Sequence, residues 1–406
     1  MRRISGVPRD YAWGSRTAIP GLLGRPAGRG PLAELWFGAH PSAPAALDTD
    51  GEWPPPRDVA ELRSLIACDP TGTLGEDVVS RFGEHLPFLL KLIAPARPLS
   101  LQVHPSLDRA QRRFAEEEAA GVPVDAPERS YPDANHKPEL VFALSTFEAL
   151  CGFRAPRRAA ELFEDLDAPL ARELHDLLRA DPSPAGICRA FTCLLAPADR
   201  PGHEAVQEVS AACAARLEHG SPSPRADGTV VALAEAYPGD PGVVASLLLN
   251  PVTLQPGEAL FVPAGGVHAY LSGLGVEVMA SSDNVLRAGL TRKHVDVPEM
   301  LACVDYVAAP PIRVAPEVFH GATRVFYAPV DDFELSVTEL TDRPTDATHP
   351  LPGRGPRVVL CLDGDVTVSS AAETLPLARG QAAFVRADEG RMTVHGAGTL
   401  VQADVP

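Results

Sequence analysis

Three short stretches of this 406-residue chain crowd together side-chain types that can hold a metal or move protons. In Ser100–Pro105 (SLQVHP), Gln102 and His104 stand two residues apart, so in a strand both leave the same face and can chelate one ion. In Tyr131–Glu139 (YPDANHKPE), a turn shaped by Asp133 and Asn135 carries His136, Lys137 and Glu139 into an apolar run. In His268–Lys293, a histidine opens a strand-like segment and is followed by Glu277, Asp283, Asn284, Arg287 and Lys293.

Each stretch also has an ordinary reading. A polar pair on a strand face is more often surface or satisfied core than a ligand pair, and Asp283 with Arg287 is spaced as a surface ion pair would be. Together they make a more specific set. Gln102, His104, Glu139 and His268 offer the nitrogen and oxygen donors that zinc takes, with room for water or substrate oxygens. Glutamine is an uncommon ligand, and its amide needs a partner to orient it. The cations Arg287 and Lys293 suit a phosphate, which arginine grips with a rigid fork.

These residues need strands to bring them together. Short apolar or β-branched runs between turn signals predict strands at 99–103, 139–144, 252–254, 259–262, 358–362 and 382–385. The middle of the chain differs. Leu162, Phe163, Leu166, Leu170, Leu174, Leu177 and Leu178 recur at helical spacing around Pro169, and Val206, Val209, Cys213 and Leu217 repeat the pattern before Gly220. A helical insert over 156–242 is expected, with 220–228 as a surface loop. A weak repeat lays 254–273 on 377–396, matching Gly257 with Gly380 and Phe261 with Phe384. His268 then falls on Arg391, so the second copy is expected to be metal-free.

Composition bounds the function. A hydrophobic fraction of 45% with 22% charged residues is that of a globular protein, and no apolar run is long enough for a membrane span. Pro8, Asp10 and Arg16 interrupt any secretory leader, and seven scattered cysteines suit a reducing compartment, so a soluble cytoplasmic protein is expected. The net charge of −17 argues against nucleic-acid and anionic-membrane partners. A small-molecule ligand and a monomer are expected.

The three stretches resemble those of the type I mannose-6-phosphate isomerases. The family signature at 131–139 is complete, and the second is nearly so, from HAY at 268–270 through VEVMA and SSDN to RAG at 287–289. Flanking agreement includes Tyr11, Trp13 and Gly14, then Glu34 and Trp36 in AELWFGAHPS, and Lys91 in LPFLLKLI. Similarity covers most of 5–155 and 243–308. It departs at Thr291–Lys293, where the family usually has Thr-Pro-Lys and this chain has Arg292.

The resemblance implies a mainly β fold of cupin-like (jelly-roll) β-sandwich domains. The catalytic domain would be 1–155 plus 243–310, the helical insert 156–242, and a second, metal-free cupin-like domain 311–406. It implies one zinc on Gln102, His104, Glu139 and His268, and exchange of mannose 6-phosphate with fructose 6-phosphate through an enediol. The site carried over comprises Trp13, Lys91, Ser100, Tyr270 and Lys293 around the substrate, with His136, Lys137, Glu277, Asp283 and Arg287 as catalytic candidates. The base among Glu277, Asp283, Lys137 and His136 stays open. Two rivals remain: a metal-dependent dioxygenase, since His104, His268 and Glu139 imitate a two-histidine, one-carboxylate iron site, and a non-catalytic sugar-binding cupin.

Overall fold

A computed structural model of the chain describes residues 1–47, 60–291, 293–340 and 347–406. Arg292 therefore lies outside the described residues. The fold is mainly β, built from antiparallel sheets of ten, seven and five strands, with twelve α-helices among the described residues. No helix of these is long and apolar enough to cross a membrane.

Side-chain alternation along the strands decides what faces what. In the seven-stranded sheet, Leu35, Phe37, Leu90, Leu92, Leu140, Phe142, Val276 and Val278 point one way, into a core shared with Phe326, Leu335, Val358 and Phe384 of the ten-stranded sheet. Phe142 and Phe326 meet there edge to face, ring centroids 5.3 Å apart. The intervening residues, Glu34, Trp36, Lys91, Glu139 and Glu277, point the other way. That inner face meets the five-stranded sheet over a small core of Ile93, Val141, Phe147, Val252 and Tyr270.

In the five-stranded sheet, Leu101, Val103, Val267, Ala269, Leu286 and Ala288 turn outward to the helices. Gln102, His268 and Arg287 take the inner face, and the register sets them side by side: His268 opposite Gln102, and Arg287 opposite Gln102. The molecule is thus layered as helices, five strands, seven strands and ten strands. Polar inner residues collect between the middle two layers.

The insert runs as helices Pro156–Phe163, Pro169–Ala180, Pro184–Leu195, His203–His219 and Pro224–Ala236. Four open on proline, whose missing N–H costs nothing in a first turn. Pro169 therefore starts a helix, whereas the one before it already ends at Phe163, with Asp165 in the left-handed region. Gly220, in the left-handed region, ends His203–His219 as expected. The loop expected over 220–228 is shorter than that, because Pro224 already begins the next helix. Asp227, fully buried, pairs there with Arg216 at 2.5 Å and ties the two helices together.

The predicted strands are present at Leu101–Val103, Glu139–Ala143, Leu249–Leu254, Ala259–Val262 and Ala382–Val385, and 358–362 lies in the longer strand Arg357–Ser369. Both copies of the weak repeat read strand, turn, strand, and Gly257 and Gly380 have φ of 91° and 81°. Arg391 of the second copy is exposed. The first strand, Arg2–Ser5, pairs with Ala382–Phe384, so the chain's beginning lies in the sheet built mostly from its end.

Candidate metal centre

Gln102, His104, Glu139 and His268 converge between the five- and seven-stranded sheets. The ligand atoms of His104, Glu139 and His268 lie within 4.8 Å of one another, and all three residues are buried. His104 Nε2 is 3.3 Å from Glu139 Oε1, His268 Nε2 is 3.4 Å from Glu139 Oε2, and the Gln102 amide is 3.1 Å from His268 Nε2. A half-turn of that amide puts its oxygen where its nitrogen stands.

The donor set fits zinc. Zinc bonds of about 2.0–2.1 Å in a tetrahedron place neighbouring donors roughly 3.3 Å apart, close to the spacings found here. His104 Nε2 is also a buried polar atom without a hydrogen-bond partner, the state of a ligand atom shown without its ion. Burial, against the field of Glu139, holds the His104 imidazole down at about 4, so it is neutral at physiological pH, as a ligand must be. Both rings are held from behind, His104 Nδ1 by the Asn284 carbonyl at 2.8 Å and His268 Nδ1 by the Gly266 carbonyl at 3.0 Å.

Beside the ligands is a cavity of about 380 Å³. The sequence-predicted Trp13, Lys91, Ser100, Lys137, Tyr270, Glu277, Asp283, Arg287 and Lys293 all line it, with Gln102 and Glu139. At its floor, Lys91 forms a buried ion pair with Glu277 and lies 3.5 Å from Glu34. Burial would lower the Lys91 ammonium, but Glu277, Glu34 and Glu139 outweigh it and hold the group above its usual range. Burial and then Glu139 raise Glu277 to about 7, with Lys91 opposing. Tyr270 donates to Glu139 Oε2 at 3.3 Å. At the rim, burial lowers both Arg287 and Lys293, and Arg287 lowers Lys293 further: cations close together with too little counter-charge.

His136 does not line this cavity. Its Nε2 lies 3.0 Å from both oxygens of Asp332, a residue of the C-terminal part, and the ring lines a separate cavity of about 1070 Å³. Lys137 and His136, neighbours in the turn before the strand, face opposite ways. Lys137 takes the inner side, donating to the Ser282 carbonyl at 3.2 Å and lying 3.7 Å from Glu139.

Other lining residues carried no role in the sequence reading. Glu34 accepts from Trp36 Nε1 at 2.8 Å while facing Lys91, and Tyr11 stacks on Trp13 at 5.6 Å. Behind the lining, His40 Nε2 sits 3.7 Å from Asp283. Their signal was the shared motif around Tyr11 and Glu34–Ser42, which carried the resemblance without saying which side chains face inward.

Comparison with known proteins agrees with this architecture. Residues 1–156 match the family model of the phosphomannose isomerase type I catalytic domain. The chain is 39% identical over 405 residues to the mannose-6-phosphate isomerase of Escherichia coli K12, covering 99% of each chain. It is 32% identical to that of Rattus norvegicus, covering 95% of this chain and 93% of the rat protein. A crystal structure of the Salmonella typhimurium mannose 6-phosphate isomerase, bound to substrate (f6p) and a zinc atom, superposes with a TM-score of 0.87 at 38% identity, covering 100% of this chain and 99% of the other. The chain belongs to the type I mannose-6-phosphate isomerase family.

Proposed function

We propose that this chain interconverts D-mannose 6-phosphate and D-fructose 6-phosphate, using one zinc ion at Gln102, His104, Glu139 and His268. The observation that carries the reading is the donor cluster with its partnerless His104 Nε2, opening on a cavity rimmed by Arg287 and Lys293. Zinc, when bound, supplies Lewis-acid stabilisation of the oxyanion that develops as the sugar C–H bond is acidified.

The chain's own residues do the rest. Arg287 and Lys293 seat the phosphate dianion at the rim, which relieves their mutual repulsion. Trp13 and Tyr270 wall the sugar and keep bulk water out. The proton moves between C1 and C2 on a side chain of the cavity, and Glu277, Lys137 and Asp283 are placed for it. Glu277, raised to about 7, is matched to transfer at neutral pH. His136, turned to Asp332, holds the turn behind Lys137 instead.

The finer architecture belongs to the same reading. Residues 1–155 with 243–310 form a catalytic cupin-type sandwich, 156–242 a helical insert, and 311–406 a metal-free cupin-like domain that borrows the strand Arg2–Ser5. Seven free cysteines support a reducing, cytoplasmic setting, and we take the working form as a monomer.

The test follows mannose 6-phosphate by NMR in deuterium oxide with zinc-loaded protein. Fructose 6-phosphate should form with deuterium entering from solvent at the exchanged carbon. Oxygen consumption without isomerisation would favour the dioxygenase, and binding without turnover the non-catalytic cupin.

A further inference from the structure

We infer that Asp133 is the positioning residue of the metal centre, the carboxylate that sets the Ser282–Asn284 turn and, through it, His104, Lys137 and Asp283. From the sequence Asp133 only shapes a turn. In the fold its two oxygens accept four hydrogen bonds. Oδ1 takes the Asn135 N–H at 2.9 Å, the Ser282 hydroxyl at 2.8 Å and the Asn284 side-chain amide at 3.2 Å, and Oδ2 takes the Asp283 N–H at 2.7 Å. The Ser282 oxygen itself accepts from the Asn284 N–H at 3.1 Å.

The clamped turn then touches the site at three points. The Asn284 carbonyl accepts from His104 Nδ1 at 2.8 Å, and because a carbonyl can only accept, the proton stays on Nδ1 and Nε2 keeps its lone pair for the metal. The Ser282 carbonyl accepts from Lys137 Nζ at 3.2 Å. Asp283, whose backbone N–H is fixed by Asp133, presents its side chain to the cavity. Asn284 is fully buried, and its amide also donates to the carbonyls of Asp133 at 2.8 Å and Asn135 at 2.7 Å, locking the two segments together.

All four groups facing the Asp133 oxygens are donors. An asparagine of the same shape would turn an NH₂ against one of those donors, so charge and acceptor count, not size, make the residue an aspartate.

The inference rests on the metal-centre reading, and the test separates the two. Full-length wild type and Asp133→Asn are stripped of metal, and zinc affinity is measured by competition with a chromophoric chelator. Metal-free melting temperature, the cobalt(II) absorption spectrum and the kcat and KM for mannose 6-phosphate are recorded alongside. We expect zinc affinity lower by about 10- to 100-fold, an altered cobalt spectrum, a loss mainly in kcat, and metal-free melting close to wild type. Wild-type zinc affinity and spectrum in Asp133→Asn overturn the inference while leaving the metal centre standing. A wild-type protein that takes up no zinc overturns both. If Asp133→Asn does not fold, Ser282→Ala decides: about tenfold weaker zinc binding in a folded protein supports the clamp, and unchanged binding overturns it.

Discussion

His104 Nδ1 stands 2.8 Å from the backbone carbonyl of Asn284, a residue 180 positions away in sequence. That bond aims the imidazole at Glu139 from behind and fixes which nitrogen is free to bind metal. The site is therefore a meeting of two sheets, held from outside by a turn, rather than a local motif.

Lys91 is the only lysine or arginine shown paired with Glu277 among the described residues, and it also faces Glu34. Removing it leaves two buried carboxylates without their cation, a change that costs roughly 3–5 kcal/mol. Lys91→Met is expected to lower unfolding stability by about that much in urea titrations of metal-free protein, and to depress turnover. A variant as stable as wild type would show that the three side chains are not coupled.

In the proposed reading, Arg287 and Lys293, which line the cavity, seat the phosphate. A charged hydrogen bond contributes about 1.5–3 kcal/mol, so Arg287→Gln and Lys293→Gln should each raise KM for mannose 6-phosphate by roughly ten- to hundredfold. Zinc content should be unchanged. Steady-state kinetics beside metal analysis check this, and a normal KM in both variants would move the phosphate elsewhere.

Gly257 and Gly380 occupy matching turns of the weak repeat, each with positive φ. A Cβ there costs about 1–2 kcal/mol from backbone strain. Gly257→Ala and Gly380→Ala should lose comparable stability in denaturant titrations, whereas a large difference would mean that the two turns are not equivalent.

What the sequence made legible was local: strand alternation, turn glycines, helical leucine spacing and the residue types of a zinc site. Gln102 and His104 could be placed on one face because strand period is two. Long-range pairing left no such mark. Nothing near Arg2–Ser5 foretells a partner at Ala382–Phe384, and nothing in YPDANHKPE tells which of His136 and Lys137 turns inward until the fold places Asp332 and Glu139 on opposite sides. The helix at Pro224–Ala236 was obscured by the Ser, Pro and Asp at its start: Pro224 opens the first turn and Asp227 ties the helix to Arg216, so these residues do not form a longer loop.

Glu334 and Asp404 face each other on paired strands, buried, with Arg357 opposite Asp404 in the register. Burial raises both acids; Glu334 pushes Asp404 further up, and Arg357 opposes without cancelling it. Acids raised in the folded state stabilise it fully below their unfolded values and lose that contribution as pH climbs through the folded ones. Thermal stability should therefore fall toward alkaline pH, and Asp404→Asn, which keeps a hydrogen on the pair, should flatten that part of the slope. Parallel melting-temperature profiles for wild type and Asp404→Asn would contradict this.

The central claim is that a single zinc at Gln102, His104, Glu139 and His268 makes the chain an isomerase. Zinc titrated into chelator-stripped protein should restore mannose 6-phosphate turnover in proportion, reaching a plateau at one ion per chain, while His104→Ala holds no zinc tightly and stays inactive. Full turnover by metal-free wild type, or normal zinc content and turnover in His104→Ala, would contradict it.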